Sequence, residues 1–305
     1  MSIPIDVLVN WSKPGKSDNS KVTYEKLNNV INSKLYGDYE LFLQGSYHNT
    51  THVKENSDID VVVLNKNIIV DNTLYGLRGN LQDLTGYKSF LYYKIQGAQN
   101  FYFTLGNKTI KYAGNSNYVP ADIVPCGCYK GATIGSPIGT ILYDSNLRKY
   151  FINYPKQHYD NGVLKSQQTN GNFKKTVRMF KNARNNAVKK GLLRTEDIAP
   201  SYFLECLIYN IPNSCFIGDE HEIFYKSIKW LYQNTSLLSN MKCQNEIQNL
   251  FGYDSLSSIV VYNKWNTSDA ITFVNAIVNL WNNWGKIWDI LLLMIKEIVL
   301  NVYYI

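Results

Sequence analysis

The sequence predicts an α/β fold, in which a mixed β-sheet with flanking helices is followed by an α-helical lobe. Short apolar runs between residues 40 and 143 are separated by turns rich in Gly and Asn, a pattern typical of strands. From about residue 160 the strand pattern disappears, and apolar residues recur at helical spacing. We therefore expect a sheet domain with an N-terminal helix over residues 1–160 and a helical lobe over residues 161–305.

The sheet half begins with an amphipathic helix over about 21–36, because Tyr24, Leu27, Val30, Ile31 and Leu35 recur at helical spacing. Gly37-Asp38 ends this helix. Strands are expected at 40–44, 58–64, 101–105, 109–113, 118–124 and 139–143, with a helix over 74–96 that breaks near Gly86.

The helical half contains one strongly amphipathic helix, whose apolar stripe starts at Phe173 and which ends at Gly191. Pro200-Ser201 opens the next helix, because proline is tolerated in a first helical turn. Further helices are expected near 219–235, 240–250 and 267–302. The apolar tail from Ile287 carries three charged residues, which favours a core or partner-facing helix over a membrane span but leaves a membrane role open.

Bulk composition restricts the class of protein only loosely. The formal net charge of +7 over 305 residues fits anionic partners such as nucleotides. The five cysteines match no zinc pattern, so reduced thiols in a cytosolic protein are expected. The N-terminus has no basic segment followed by a long apolar core, so no signal peptide is expected and the predicted location is the cytoplasm.

The first candidate site joins a Gly-Ser pair to two acids. Gly45-Ser46 ends an apolar run, and Asp58-Ile59-Asp60 leads directly into a second apolar run. Residues two apart on a strand share a face, so Asp58 and Asp60 would present two carboxylates side by side. Two adjacent carboxylates repel unless a cation lies between them, and their oxygens suit Mg²⁺. Gly45 permits close approach of the backbone to a phosphate, and Ser46 offers a hydroxyl and an N–H.

A third acid, Asp122, interrupts the apolar run from Val119 to Val124. A carboxylate is rarely buried in a sheet without a partner, so Asp122 is a candidate third ligand. Three converging carboxylates can hold two divalent ions, Mg²⁺ or Mn²⁺. Such a pair of ions can activate a ribose hydroxyl and neutralise a triphosphate during an in-line phosphoryl displacement.

Candidate nucleotide-binding residues also occur in the helical half. Lys174, Arg178 and Lys181 share one helix face, which taken alone is most simply a solvated basic face. Beside the acids, Lys181 is a candidate to offset triphosphate charge. Ser201 would add a hydroxyl at a helix N-terminus, where the helix dipole favours an anion, and Tyr202 is a candidate to stack on the base.

Together these residues resemble the nucleotidyltransferase superfamily and, within it, the bacterial CD-NTases, which are relatives of cyclic GMP-AMP synthase and oligoadenylate synthase. The resemblance covers about residues 40–212. The matching pieces, in order, are Gly45-Ser46, Asp58-Ile59-Asp60, Asp122 in VPADIVPC, Tyr154-Pro155, the helix FKKTVRMFKNARN and the helix APSYFLECLIYNIP.

The resemblance implies a two-lobed enzyme that joins nucleoside triphosphates into cyclic di- or oligonucleotides for antiphage signalling, with a downstream effector protein activated by the product. It implies that Asp58, Asp60 and Asp122 carry the metals, and that Gly45, Ser46, Lys181 and Ser201 bind the phosphates. Uracil-reading relatives carry Asn where this chain has Ser166, so Ser166 is counted with the nucleotide-binding residues and favours purines such as ATP and GTP. No stable nucleic-acid partner is expected.

Three other functions remain open on the sequence. A synthase of linear 2′–5′ oligonucleotides, or an enzyme that adds nucleotides to RNA, would use the same acids. A nucleotide-binding module could keep the fold without catalysis. An RNA-binding protein could use the face formed by Lys174, Arg178 and Lys181.

Overall fold

The computed structural model describes most of the chain in two compact units. The described residues are 2–16, 18–53, 57–73, 76–98, 101–131, 135–252, 260–261 and 265–285. The sheet unit takes those within 14–164 and 242–264, and the helical unit takes those within 1–13, 165–241 and 265–305.

The sheet unit contains a mixed sheet, as the sequence predicts. Its strands are β1 (Tyr39–Gln44), β2 (Ile59–Thr73), β3 (Gly76–Gly79), β4 (Phe103–Leu105), β5 (Ile110–Tyr112), β6 (Ala121–Lys130), β7 (Gly139–Asp144), β8 (Lys149–Asn153) and β9 (Val260–Val261). Its helices are α2 (Asp18–Asn32), α3 (Gly45–His48), α4 (Leu81–Ile95) and most of α5 (Pro155–Gln168).

The sheet order is β1-β2-β6-β7-β8-β9, with β3 paired to β2 and the β4–β5 hairpin paired to β6 through β5. The β2–β6 and β8–β9 pairs are parallel, and the other pairs are antiparallel. The long parallel pair β2–β6 therefore forms the centre of the sheet.

The two faces of the sheet differ in what they bury. One face presents alternate residues such as Val61 and Ile123 to a large apolar core, to which α2 and α4 contribute Leu27 and Leu91. The other face carries a smaller cluster of Val62, Leu64, Val124, Cys126 and Leu142. Residues two apart on a strand share a face. Asp60 and Asp122, which lie two residues before Val62 and Val124, are therefore on this second face.

The helical unit is built around α6, a long amphipathic helix. Its helices are α1 (Ile5–Trp11), α6 (Asn172–Lys189), α7 (Ser201–Tyr209), α8 (Glu220–Gln233) and α9 (Thr267–Asn282). Phe173, Val177, Phe180 and Ala187 of α6 are fully or nearly fully buried, as the predicted apolar stripe requires. Phe180 contacts Phe224 of α8, with ring centroids 4.8 Å apart.

The compact units differ from a simple division of the chain at residue 160. The first thirteen residues belong with the helical unit, and residues 242–264 belong with the sheet unit. In the latter segment, Gln244 donates to the His158 carbonyl and Gln248 donates to the Ile152 carbonyl. These contacts are hydrogen bonds between polar groups, so the pattern of apolar residues in the sequence could not predict them.

Several predicted elements were wrong in detail. The helix expected over 74–96 is preceded by β3 and runs unbroken through Gly86. One glycine costs a helix only about 1 kcal/mol, and the buried Leu84 and Tyr87 hold the helix on both sides of it. The helix expected over 240–250 is absent: Lys242 and Asn249 form an isolated bridge in a loop. Strand β8 was not predicted, and α9 ends at Asn282 rather than at residue 302.

The tail remains a prediction, because residues from 286 onward, including the apolar run from Ile287, lie outside the described residues. No helix in the described ranges is both long and apolar enough to cross a bilayer.

Candidate active site

The Asp58-Ile59-Asp60 motif stands at the start of β2. The strand begins at Ile59, so Asp58 precedes it and is exposed, whereas the sequence predicted that the strand would start at Asp58. Asp60 lies within the strand and is half-buried between the buried residues Ile59 and Val61. The apolar run therefore anchors the motif and holds Asp60 at a fixed place on the sheet.

Asp60 and Asp122 are direct neighbours across the central pair of strands. They are register partners in the parallel pairing of β2 with β6, and parallel strands lie about 4.8 Å apart. On the outer sides of this pair, Gln44 of β1 is opposite Asp60 and Lys111 of β5 is opposite Asp122. A single row across the sheet thus contains two carboxylates, with the end of β1 on one side and an ammonium group on the other.

The surroundings of Asp122 act on its carboxylate in opposing directions. Burial raises the pKa of Asp122, and the negative charge of Asp58 also raises it. Lys111 and a hydrogen bond with Thr109 lower the pKa in part. Since Asp58 affects Asp122, the two acids are close enough to interact, and a bound cation would relieve their repulsion.

The residues present fit a divalent cation by chemistry. Asp60 and Asp122 supply adjacent carboxylate oxygens, and the exposed Asp58 can turn toward them. Among the described residues, no three His, Cys, Asp or Glu side chains are already grouped closely enough to hold a metal. The structure thus brings two of the three predicted acids, Asp60 and Asp122, side by side, and the metal-holding role of all three stays a prediction.

Gly45-Ser46 lies against the same acids. The pair opens the short helix α3 immediately after β1, where the sequence predicted a loop. Gly45 has a φ of 76°, and a Cβ at this position would overlap the Oδ2 atom of Asp60. Only glycine satisfies both conditions, because it has no Cβ and tolerates a positive φ. The structure thus brings Gly45 and Asp60 into direct proximity.

The remaining candidate residues lie in the helical unit. Ser166 lies in α5, and its carbonyl accepts a hydrogen bond from the Gly171 N–H at 2.7 Å. Ser201 is the first residue of α7, and the Tyr202 ring stacks on Trp265, with centroids 5.6 Å apart. The nucleotide-binding roles of these residues stay predictions.

Lys181 has an environment that its sequence position did not indicate. The side chain is 1% exposed, and its Nζ atom lies 2.6 Å from Oε1 of Glu205, which is also buried. Burial lowers the pKa of Lys181, and the Glu205 carboxylate acts in the opposite direction. In this structure the ammonium is therefore engaged in a buried ion pair, so the predicted contact of Lys181 with a triphosphate has no support from its surroundings.

The solvated basic face was also a wrong interpretation. Arg178 is 7% exposed and donates through Nε to the Ser12 carbonyl. Burial lowers the pKa of Arg178 to about 10. With Arg178 and Lys181 buried, the surface on which the RNA-binding alternative depended is not available as predicted.

Two residues beside the acids were missed by the sequence reasoning. Thr109 and Lys111 are the polar members of a short strand-like stretch that also contains Ile110 and Tyr112. The alternation of polar and buried residues was a usable signal, because it predicts that Thr109 and Lys111 share a face. The pairing of this stretch with the Asp122 strand could not be read from that signal.

Comparisons with known proteins give the same fold and class. A model of the nucleotidyltransferase domain matches residues 24–101, and a model of the cGAS/DncV-like nucleotidyltransferase C-terminal helical domain matches residues 160–282. The cyclic UMP-AMP synthase of Rhodothermus marinus is 33% identical over 302 residues, which cover 94% of this chain and 100% of that protein.

Two solved structures are similar over nearly the whole chain. The structure of Rhodothermus marinus CdnE c-UMP-AMP synthase with Apcpp and Upnpp matches with a TM-score of 0.79 and 32% identity, over 93% of this chain and 98% of that chain. The structure of Elizabethkingia meningoseptica CdnE cyclic dinucleotide synthase with GTP and Apcpp matches with a TM-score of 0.77 and 28% identity, over 93% of this chain and 99% of that chain.

The mixed sheet, the helical unit and the domain matches define the protein as a nucleotidyltransferase. This confirms the predicted fold and enzyme class. More closely, the chain belongs to the CD-NTase family, the cGAS- and DncV-like nucleotidyltransferases, as the resemblance in the sequence indicated.

Proposed function

We propose that the protein joins nucleoside triphosphates into a cyclic di- or oligonucleotide that serves as a second messenger. The observation that carries the proposal is the register pairing of Asp60 with Asp122, with Gly45 against Asp60 and Asp58 within electrostatic reach of Asp122. Full-length relatives with cyclic nucleotide synthase activity in their names support the same reaction class.

In the proposed reaction, a hydroxyl of one nucleotide attacks the α-phosphorus of another. The bond to pyrophosphate breaks, and a second such step closes the ring. Asp58, Asp60 and Asp122 would hold two Mg²⁺ or Mn²⁺ ions, which when bound would supply charge neutralisation and activation of the hydroxyl. Gly45 lets the backbone of α3 lie close to Asp60, so that a phosphate seated on Gly45-Ser46 would be next to the acids.

The choice of bases and the biological setting are finer parts of the proposal. Ser166 favours purine substrates, although the similar structures contain both purine and pyrimidine nucleotides. The residues proposed to contact the nucleotides in the helical unit are Lys181, Ser201 and Tyr202. Lys181 could do so only if its ion pair with Glu205 opens. A role in antiphage signalling through an effector protein in the cytoplasm follows from the family resemblance.

The proposal is tested by incubating the purified protein with labelled nucleoside triphosphates and Mg²⁺, followed by phosphatase treatment and mass spectrometry. A phosphatase-resistant product with the mass of a cyclic nucleotide is expected, and its bases would identify the substrates. A phosphatase-sensitive ladder alone would indicate linear synthesis. Binding of triphosphates with no release of pyrophosphate would indicate a catalytically silent module.

A further inference from the structure

The β4–β5 hairpin lies directly beside Asp122 in the sheet. Strand β5 pairs with β6 so that Lys111 is opposite Asp122 and Ile110 is opposite Ile123. The turn between β4 and β5 comprises residues 106–109 and is closed by a hydrogen bond of 2.8 Å from the Gly106 N–H to the Thr109 carbonyl. This turn therefore ends at Thr109, which lies two residues before Lys111 and so shares the face of β5 that Lys111 presents opposite Asp122. From there the Thr109 hydroxyl acts as a hydrogen-bond donor that lowers the pKa of the Asp122 carboxyl.

The turn is held in place by contacts from two other parts of the sheet unit. Nζ of Lys88, on α4, donates to the Gly106 and Asn107 carbonyls and to Oγ of Ser145, the last at 2.9 Å. The Ser145 N–H donates to the Asn107 carbonyl at 3.1 Å. Lys88 thus ties the turn to α4, and Ser145 ties it to the residues that follow β7.

Gly106 allows the turn to pack tightly on its own side chains. A Cβ at this residue would lie 3.2 Å from Cε of Lys111 and 3.5 Å from Oγ1 of Thr109. Both side chains therefore occupy the same side of the hairpin, the side on which Asp122 lies. The hydroxyl of Thr109 therefore lies on the side of the hairpin that faces the acids.

We propose that Thr109 is a positioning residue that holds the Asp122 carboxylate in place beside Asp60, and that Lys88 acts through the turn to hold Thr109. This inference rests on the proposed function, in which Asp122 is a metal-holding acid. Partners that orient a ligating carboxylate commonly matter nearly as much as the ligand, since their loss costs about 10–100-fold in metal affinity or activity. Here the orienting partner of Asp122 is Thr109, and Thr109 is anchored by the contacts of Lys88 with the turn.

The test uses the full-length chain and two substitutions of Thr109. Thr109→Val removes the hydroxyl at nearly constant shape, and Thr109→Ser keeps it. Titration with Mn²⁺, followed by electron paramagnetic resonance with and without a non-hydrolysable ATP analogue, measures metal affinity without turnover. Thr109→Val should weaken Mn²⁺ binding and lower kcat about tenfold, with an unchanged KM for nucleotide, and Thr109→Ser should restore both.

Two further variants separate positioning from a general effect on the hairpin. Thr104→Val makes the same change at an exposed residue of β4 and should leave Mn²⁺ affinity unchanged. Lys88→Met removes the anchor of the turn without touching the acids and should weaken Mn²⁺ binding in the same direction as Thr109→Val. Equal Mn²⁺ affinity of Thr109→Val and the unsubstituted protein would overturn the inference, as would a failure of Thr109→Ser to restore it.

The outcomes distinguish this inference from the proposed function. In one outcome, Asp60→Asn loses Mn²⁺ binding, Thr109→Val weakens it, and the unsubstituted protein forms no nucleotide product. This outcome would support the positioning role and overturn the synthase proposal. If the unsubstituted protein forms a cyclic product and Thr109→Val is fully active, the synthase proposal would be supported and the positioning role overturned. Absence of any Asp60-dependent Mn²⁺ binding would overturn both.

Discussion

The carboxylate of Asp60 occupies the space in which a side chain at residue 45 would have to begin. Gly45 also has a φ of 76°, so both the backbone conformation and the neighbouring acid require glycine. The two residues come from different elements, helix α3 and strand β2, and their fit brings Gly45-Ser46 against the acids. The substitution of Gly45 therefore tests whether this fit matters for activity.

We expect Gly45→Ala to lower synthesis at least tenfold, because the new Cβ must displace the Asp60 carboxylate. Gly97→Ala is the matched control: Gly97 has a φ of 81°, but a Cβ there would meet nothing within 4 Å. Both variants pay about 1 kcal/mol for the left-handed backbone conformation. Steady-state rates and urea unfolding of the two proteins should therefore show a stability loss in both variants and a large activity loss only in Gly45→Ala; equal activities would contradict the role of the contact.

Substitution of the paired acids should separate metal binding from folding. Asp60→Asn or Asp122→Asn should abolish synthesis, while the melting temperature of the metal-free protein stays level or rises, because like charges are removed. Adding Mn²⁺ at about 100 times its Kd should stabilise the unsubstituted protein by about 2.7 kcal/mol and stabilise neither variant. A large drop in the metal-free melting temperature would mean that the acids are structural.

The buried ion pair of Lys181 with Glu205 gives a prediction about stability. Lys181→Met leaves a buried carboxylate without this partner and should lower the free energy of unfolding by about 3–5 kcal/mol. The double variant Lys181→Met with Glu205→Leu replaces the pair by apolar groups and should recover most of that loss. Chemical denaturation of the three proteins measures the difference, and an unaltered stability of Lys181→Met would show that the pair is open in solution.

Two helical glycines should respond in opposite directions to the same substitution. A Cβ at Gly162 in α5 would overlap Nε2 of Gln244, which donates to the His158 carbonyl at 2.6 Å, whereas a Cβ at Gly86 in α4 would meet nothing within 4 Å. Gly162→Ala should destabilise the protein by about 1–3 kcal/mol, and Gly86→Ala should stabilise it by about 0.5–1 kcal/mol. Thermal unfolding checks both signs, and a stabilising Gly162→Ala would argue against the packing of residues 242–249 on α5.

The central strands and the placement of Asp60 and Asp122 on them could be predicted because the signals are local, whereas the metal-holding role of the acids stays a prediction. Asp60 precedes an apolar run and Asp122 interrupts one, so each run shows both the strand and the unusual carboxylate. The stripe of α6 is equally local, since helical periodicity places Phe173 and Val177 on one buried face. Gly45 was identified as a residue that permits close approach, although the group approaching it, Asp60, was not.

Contacts between distant parts of the chain could not be predicted in the same way. Lys88 reaches Ser145 across 57 residues, and Gln244 reaches His158 across 86, through hydrogen bonds that leave no periodic pattern. Lys181 was mistaken for an exposed cation because its partner, Glu205, lies on another helix. Polar contacts between residues far apart in the chain thus account for the misjudged environment of Lys181 and for the unpredicted packing of residues 242–249.

The most direct test of the central claim is the position of bound metal. Crystals grown with Mn²⁺ and a non-hydrolysable ATP analogue would give anomalous peaks at each ion. We predict two peaks, with oxygens of Asp58, Asp60 and Asp122 at about 2.0–2.2 Å and triphosphate oxygens completing the coordination. Ions bound away from these carboxylates, or an Asp122 side chain that contacts neither ion, would contradict the account.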